Sequence, residues 1–152
     1  MQTSMNRKGK IRMWIVLLII LGVIVAGLGG AILFSTPGRH EIQNLTIAAM
    51  DFKKLCDGTY VGEYKGTKDS FRNAKVQVSI DSGKVLNIDV LGSALIKEGK
   101  PIEIRNGLTI DDLFGRVIES QSLQVDVISG ATLTSKAHLK AVENALEQAK
   151  VK

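Results

Sequence analysis

Between Met13 and Phe34 the chain carries no charged side chain and almost no polar one. No other stretch restricts the fold so strongly. About 20 apolar residues in a helix cross the hydrocarbon core of a bilayer while every backbone polar group is satisfied internally. A cleaved signal peptide has a shorter apolar region, roughly 7–15 residues, so 13–34 reads as an uncleaved anchor. Gly22, Gly27, Gly29 and Gly30 are compatible with a membrane helix, as a packing face or as neutral positions.

Charge orients the span. Arg7, Lys8, Lys10 and Arg12 contribute +4 of the formal +5, leaving 5 − 4 = +1 for the rest. Behind the span only Arg39 follows before Lys53. The positive-inside rule makes 1–12 a cytoplasmic basic tail and places the remainder outside. Because the excess lies in the tail, a basic face for nucleic acid is excluded. Cys56 is the single cysteine, so no intrachain disulfide forms, and it lies too far beyond the apolar run to be a lipoprotein cysteine.

Ser35-Thr36-Pro37-Gly38 predicts a break, since proline lacks the N–H that a helix interior uses. From Glu41 to Leu55 the spacing of Ile42, Leu45, Ala49, Phe52 and Cys56 predicts one helical face, so 35–56 is read as linker plus amphipathic helix. Asp57-Gly58 opens a strand in which Thr59, Val61 and Glu63 face one side and Tyr60 and Tyr64 the other. Ala74, Val76, Val78 and Ile80 alternate with polar residues, Asp81-Ser82-Gly83 turns the chain, and Leu86, Ile88 and Val90 alternate again. This predicts an antiparallel hairpin with one buried face. Residues 92–107 hold three glycines, Gly92, Gly99 and Gly107, with Pro101, and read as a loop. Thr109-Ile110-Asp111-Asp112 is a helix start close to a capping box, with Leu113, Phe114, Val117 and Ile118 on the buried side.

The chemistry is concentrated further on. Leu123, Val125 and Val127 alternate with Gln124 and Asp126, a strand period. Ala137, Ala141, Ala145 and Ala149 then recur every fourth residue beside Val142 and Leu146, a helix period. Ser129 to Ser135 is therefore a strand-to-helix turn. Gly130 and Ala131 leave the backbone approachable, and Thr132 offers a hydroxyl beside helix N–H groups that suit a phosphate. The same residues also fit an ordinary turn in which Thr134 or Ser135 caps the helix.

Asp126-Val127-Ile128-Ser129-Gly130-Ala131-Thr132, followed by Thr134-Ser135 and an alanine-rich helix, resembles the flavinylation motif of FMN-binding domains. Such domains occur in flavin-carrying subunits of sodium-pumping NADH:quinone and ferredoxin:NAD oxidoreductases and in small membrane-anchored electron carriers. Asp57 to Tyr64 and the Gly83-Lys84 turn are also similar to that family. Lys97-Glu98-Gly99-Lys100-Pro101 departs from the Glu-Thr-Pro-Gly signature of the pump subunits. The resemblance implies covalent FMN, joined through its phosphate to Thr132 by a dedicated flavin transferase. Ser129, Gly130 and Ala131 would shape the phosphate pocket, Thr134 and Ser135 would add caps or hydrogen bonds, and Asp126 would be part of what the transferase recognises. It implies an α+β fold, an antiparallel sheet with flanking helices, over 57–150, preceded by the transmembrane helix. It also implies an extracytoplasmic electron carrier rather than a stand-alone enzyme. Its partners would be membrane redox proteins or subunits of an ion-translocating oxidoreductase, with the membrane itself as the other contact. The alternative from the residues alone is a non-redox binding or assembly module. His40 and His138 have no companion cysteines, so no metal site is expected.

Overall fold

The computed structural model describes residues 5–68, 70, 72–93, 95–97 and 100–150; side chains of 5–12, 31–38, 96–97 and 101 are not described. Two units separate between residues 37 and 38. The first is helical and contains Met13–Gly30, 18 residues with a mean hydropathy of 2.6 and none of that window buried. By length and composition it can cross a membrane. The assigned helix α1 runs Met5–Gln43, so the break expected at Ser35-Thr36-Pro37-Gly38 does not occur. Proline's fixed φ is itself helical, and what it removes is one donor rather than the backbone conformation.

The second unit, 38–152, is α+β. Three strands, β1 (Gly58–Tyr64), β2 (Ala74–Asp81) and β3 (Lys84–Gly92), form an antiparallel meander in that order. Two-residue strands β4 (Ile96–Lys97) and β5 (Lys100–Pro101) pair within the expected loop. Helices α2 (Ile110–Ser120) and α3 (Thr132–Gln148) follow. On β2 the inward residues Ala74, Val76, Val78 and Ile80 are all buried, and the polar residues between them face away. The β2–β3 turn has positive φ at Ser82 and Gly83, the backbone that a two-residue hairpin favours.

One phase of the hairpin was misread. Ser79 pairs with Asn87 but Ile80 pairs with Val85, so Leu86 is an extra residue in a bulge. Val85 is fully buried and Leu86 is 57% exposed. A bulge resets which side chains point inward, and strict alternation cannot foresee it.

α3 lies directly on the sheet. Ala137, Ala141, Ala145 and Ala149 are all fully buried. A Cβ on Gly62 would collide with the Ala141 carbonyl oxygen and the Ala145 nitrogen, so strand and helix backbones meet there with no side chain between them. Asn144 Nδ2 and Gln148 Nε2 donate to the carbonyls of Glu63 and Val61, each at 2.8 Å, and so occupy β1's outer edge. At β3 the Gln121 side-chain amide plays the strand's part, accepting from Val85 N and donating to Val85 O, both at 2.9 Å. The core closes over Phe114, Ile110, Leu113, Ile128, Leu139 and Leu146, each contributing about 1.5–3 kcal/mol by leaving water.

The amphipathic helix expected over 41–55 is corrected. α1 ends at Gln43 and only Phe52–Lys54 forms a single 3-10 turn. Between them the chain is irregular. Lys136 Nζ donates to the carbonyls of Gln43 (2.8 Å) and Leu45 (3.3 Å), and Leu55 bridges Lys150. The segment therefore runs along α3 from its first turns to its end. Ile42 and Phe52 are buried and Ala49 and Cys56 are exposed, a pattern of tertiary contacts that mimics helical spacing.

Candidate functional site

The turn into α3 is built by hydrogen bonds that its own residues supply. Ala131 N donates to Ile128 O at 2.9 Å, closing a β-turn over Ser129 and Gly130. Gly130 has φ +77°, a conformation that side chains resist and the third residue of such a turn requires. Ser135 is fully buried. Its hydroxyl accepts from Ile128 N (3.2 Å) and donates to Ala131 O (3.0 Å). It locks the turn from inside.

That placement corrects the expected cap. The N-cap residue of α3 is Ala131, which offers no side-chain bond, and the helix begins at Thr132. Thr134 lies within the first turn and Ser135 beyond it. Among the described residues, no protein acceptor pairs with the N–H groups of Thr132, Leu133 or Thr134. No acidic residue stands in that turn. A helix start of this kind carries positive partial charge toward whatever occupies the surface.

The surroundings add full charges. An open cleft of about 420 Å³ is lined by Gly130, Ala131, Thr132, Leu133 and Thr134 on one side and by Arg39, Gln43 and Arg72 on the other. Arg105 lies over Gly130, where a Cβ would come within 2.5 Å of its Nε and 2.6 Å of its Cδ. A tight turn presents Arg105: Asn106 and Gly107 both have positive φ, and Ile104 N donates to Leu108 O at 2.8 Å. Arg39 and Arg72 thus line the same cleft as Thr132, whose side chain is exposed, and Arg105 lies beside the neighbouring Gly130. Arginine's planar fork matches phosphate oxygens. Among the described residues, the lining holds no carboxylate or imidazole.

Sequence reasoning did not find this basic group. Arg39, Arg72 and Arg105 are 33 residues apart in succession, and no local pattern joins them. The one readable signal was Gly130, whose missing side chain leaves room for Arg105.

The other expected residues divide. Ser129, Gly130, Ala131, Thr132 and Thr134 do lie together. Asp126 is exposed and lines a different hollow with Arg116, Glu119 and Gln124. Its carbonyl accepts from Arg116 Nη1 at 2.6 Å. The strand expected over 123–127 is absent; the segment has no regular structure and, among the described residues, pairs with no strand. Its polar groups go to side chains instead, as with Arg116 on Asp126 and Ser122 Oγ on Gln124 N (3.0 Å).

Beneath the site His138 is buried. Nδ1 donates to Thr134 O at 2.9 Å, which leaves Nε2 to accept from Ser93 Oγ at 3.1 Å. Its ring stands 6.3 Å from that of Phe114. Burial lowers its pKa, and the bond to Thr134 opposes this only partly. Among the described residues no cluster of three or more His, Cys, Asp or Glu side chains forms a metal site.

FMN fits the donor set: its phosphate is a dianion, and the cleft offers unpaired N–H groups, arginines and a turn that a Cβ at Gly130 would fill. A model of the FMN-binding domain family matches residues 72–147, half of the 152-residue chain, from the arginine at the cleft's edge to the last turn of α3. The chain belongs to the FMN-binding domain family and is a flavin-binding protein.

Proposed function

We propose that Thr132 carries FMN covalently through a phosphoester, and that the protein is a membrane-anchored extracytoplasmic electron carrier. The observation that carries this reading is the exposed Thr132 on a helix start without a side-chain cap, in a cleft that Arg39 and Arg72 also line, with Arg105 against the adjacent Gly130. When bound, the isoalloxazine ring supplies one- and two-electron redox chemistry. The protein's part is to hold, expose and electrostatically tune it.

Joining a free phosphate monoester to an alcohol is uphill in water, so the donor must hold FMN in a phosphoanhydride, as a flavin dinucleotide does. Thr132 Oγ1 forms the new bond to phosphorus, the anhydride P–O bond breaks, and a nucleoside monophosphate leaves. Among the described residues that line the cleft, none is a carboxylate or imidazole able to take the hydroxyl proton. That proton passes to a base on a separate flavin transferase, which supports the need for a partner enzyme. The arginines and helix N–H groups stabilise the charge gathering on phosphorus-bound oxygens. The basic tail and the apolar helix support a single span with the N-terminus in the cytoplasm. The electron partners would then be membrane redox proteins or subunits of an ion-translocating oxidoreductase.

The test is co-expression of the full chain with and without a flavin transferase. Intact mass should rise by one FMN unit only with the enzyme, and Thr132→Ala should not be labelled. Protein that unfolds colourless from membranes containing an active transferase supports instead a non-redox assembly module.

A further inference from the structure

The family match begins at residue 72, yet Arg39 and Gln43 of the cleft lie well before it. Both belong to the last turns of α1. Four residues apart, they share one helical face, while Glu41 between them faces the other way. There its carboxylate meets the loop after β1. Thr67 N reaches Oε1 at 3.0 Å and Oε2 at 3.2 Å. Thr67 Oγ1 donates to Oε2 at 3.0 Å, Lys68 N to Oε2 at 3.1 Å, and Tyr64 OH to Oε1 at 3.5 Å. The far side of that loop is tied back by Asn73 Oδ1, which accepts from Gly66 N at 3.0 Å. Arg72 is the next residue and lines the cleft. On the opposite side Lys136 of α3 holds the carbonyls of Gln43 and Leu45.

Resting on the flavin attachment proposed above, we propose that the end of α1 is a wall of the cofactor site and that Glu41 is its positioning residue. Glu41 clamps Thr67 and Lys68 to α1 so that Arg39 and Arg72 face Thr132 together. A carboxylate suits the task because it accepts several N–H and O–H bonds at once and donates none. Those donors, the Thr67 backbone N–H first, hold its carboxyl below the usual range. The arrangement makes the segment that follows the apolar helix part of the site rather than a passive tether.

The full chain is the substrate for the test, with flavin transferase and flavin dinucleotide, reading initial labelling rate by intact mass. Glu41→Gln should lower the transferase's kcat about tenfold with its KM for the chain unchanged, since the turn at 129–132 is intact. Amide exchange at Thr67 and Lys68 should accelerate in the same variant. Arg72→Gln should slow labelling similarly, and the double variant should lose about tenfold rather than a hundredfold, because Glu41 acts through the loop that presents Arg72. Glu41→Gln labelled at the wild-type rate, or losses that multiply, would overturn the role of Glu41 while an unlabelled Thr132→Ala upheld the attachment site. A wild-type chain that takes no flavin overturns the attachment and the role of Glu41 with it.

Discussion

Helix α2 closes its own N-terminus, whereas α3 leaves its N-terminus open to the surface. At α2 the Asp112 carboxylate accepts from Thr109 N (2.7 Å) and from Thr109 Oγ1 (2.9 Å). Two acids sit in that first turn, so the helix dipole is answered from within the chain. At α3 the cap is alanine, no acid follows, and arginines gather where a cap would sit. A helix that only needed to fold would have been built like α2. The contrast matches what the proposed phosphate attachment at α3's start would need, a helix end left for a negative group to answer.

The sharpest break in that contrast is Thr132→Ala. Intact mass should show complete loss of covalent flavin, while urea denaturation moves by less than about 0.5 kcal/mol because the side chain is exposed. Gly130→Ala comes next. The added methyl meets Arg105 and forces a strained φ, so labelling should fall about tenfold and stability by about 1–2 kcal/mol. Unchanged labelling there would remove Arg105 and the turn from the account. Thr109→Ala should do the reverse of Thr132→Ala, costing about 1 kcal/mol of stability with flavin content untouched.

The smallest effects are in pH dependence. Thr109 bonding holds the Asp112 pKa low, so the folded state favours its ionised form. That stabilisation is present above the unfolded carboxylate range and is lost as pH falls through the lower folded value. Thr109→Ala removes only the hydroxyl's share and keeps the larger backbone bond, so it should make the acid limb shallower without abolishing it. His138 acts near neutrality. Buried, it resists protonation that the unfolded chain accepts near pH 6.5, so acidification favours unfolding. Thermal melts of His138→Leu should lose less stability between pH 7 and pH 5 than wild type, a difference below about 1 kcal/mol. An identical slope in both proteins would mean that His138 is not what titrates.

Local rules carried the reading where neighbours in sequence do the work. Ala74 to Ile80, the Thr109–Asp112 cap and the alanine stripe of α3 are each decided within a few residues, and each was legible. The close grouping of Ser129 to Thr132 followed from the switch of period, and the fold class from the family resemblance. The failures share a cause. Leu86 was misassigned because a bulge depends on the partner strand. Residues 44–51 matched a helical spacing that tertiary contacts alone produced. The run 123–128 shows a strand's alternation without a strand's pairing, since burial sets the former and a free sheet edge the latter. Ser135 read as a cap because hydroxyl and helix start were adjacent, but its depth was not visible. Arg39, Arg72 and Arg105 meet only after folding.

Gly62 has a consequence beyond packing. Where two main chains touch, no rotamer can swing aside to absorb error, so the seam between β1 and α3 acts as a fixed datum for everything built on the helix. The hydroxyl of Thr132 inherits its height above the sheet from that datum. Drift in sequence is tolerable on the outer faces, but at this hydrogen-sized gap even a methyl group would shift the reference point from which the cleft beside Thr132 is measured.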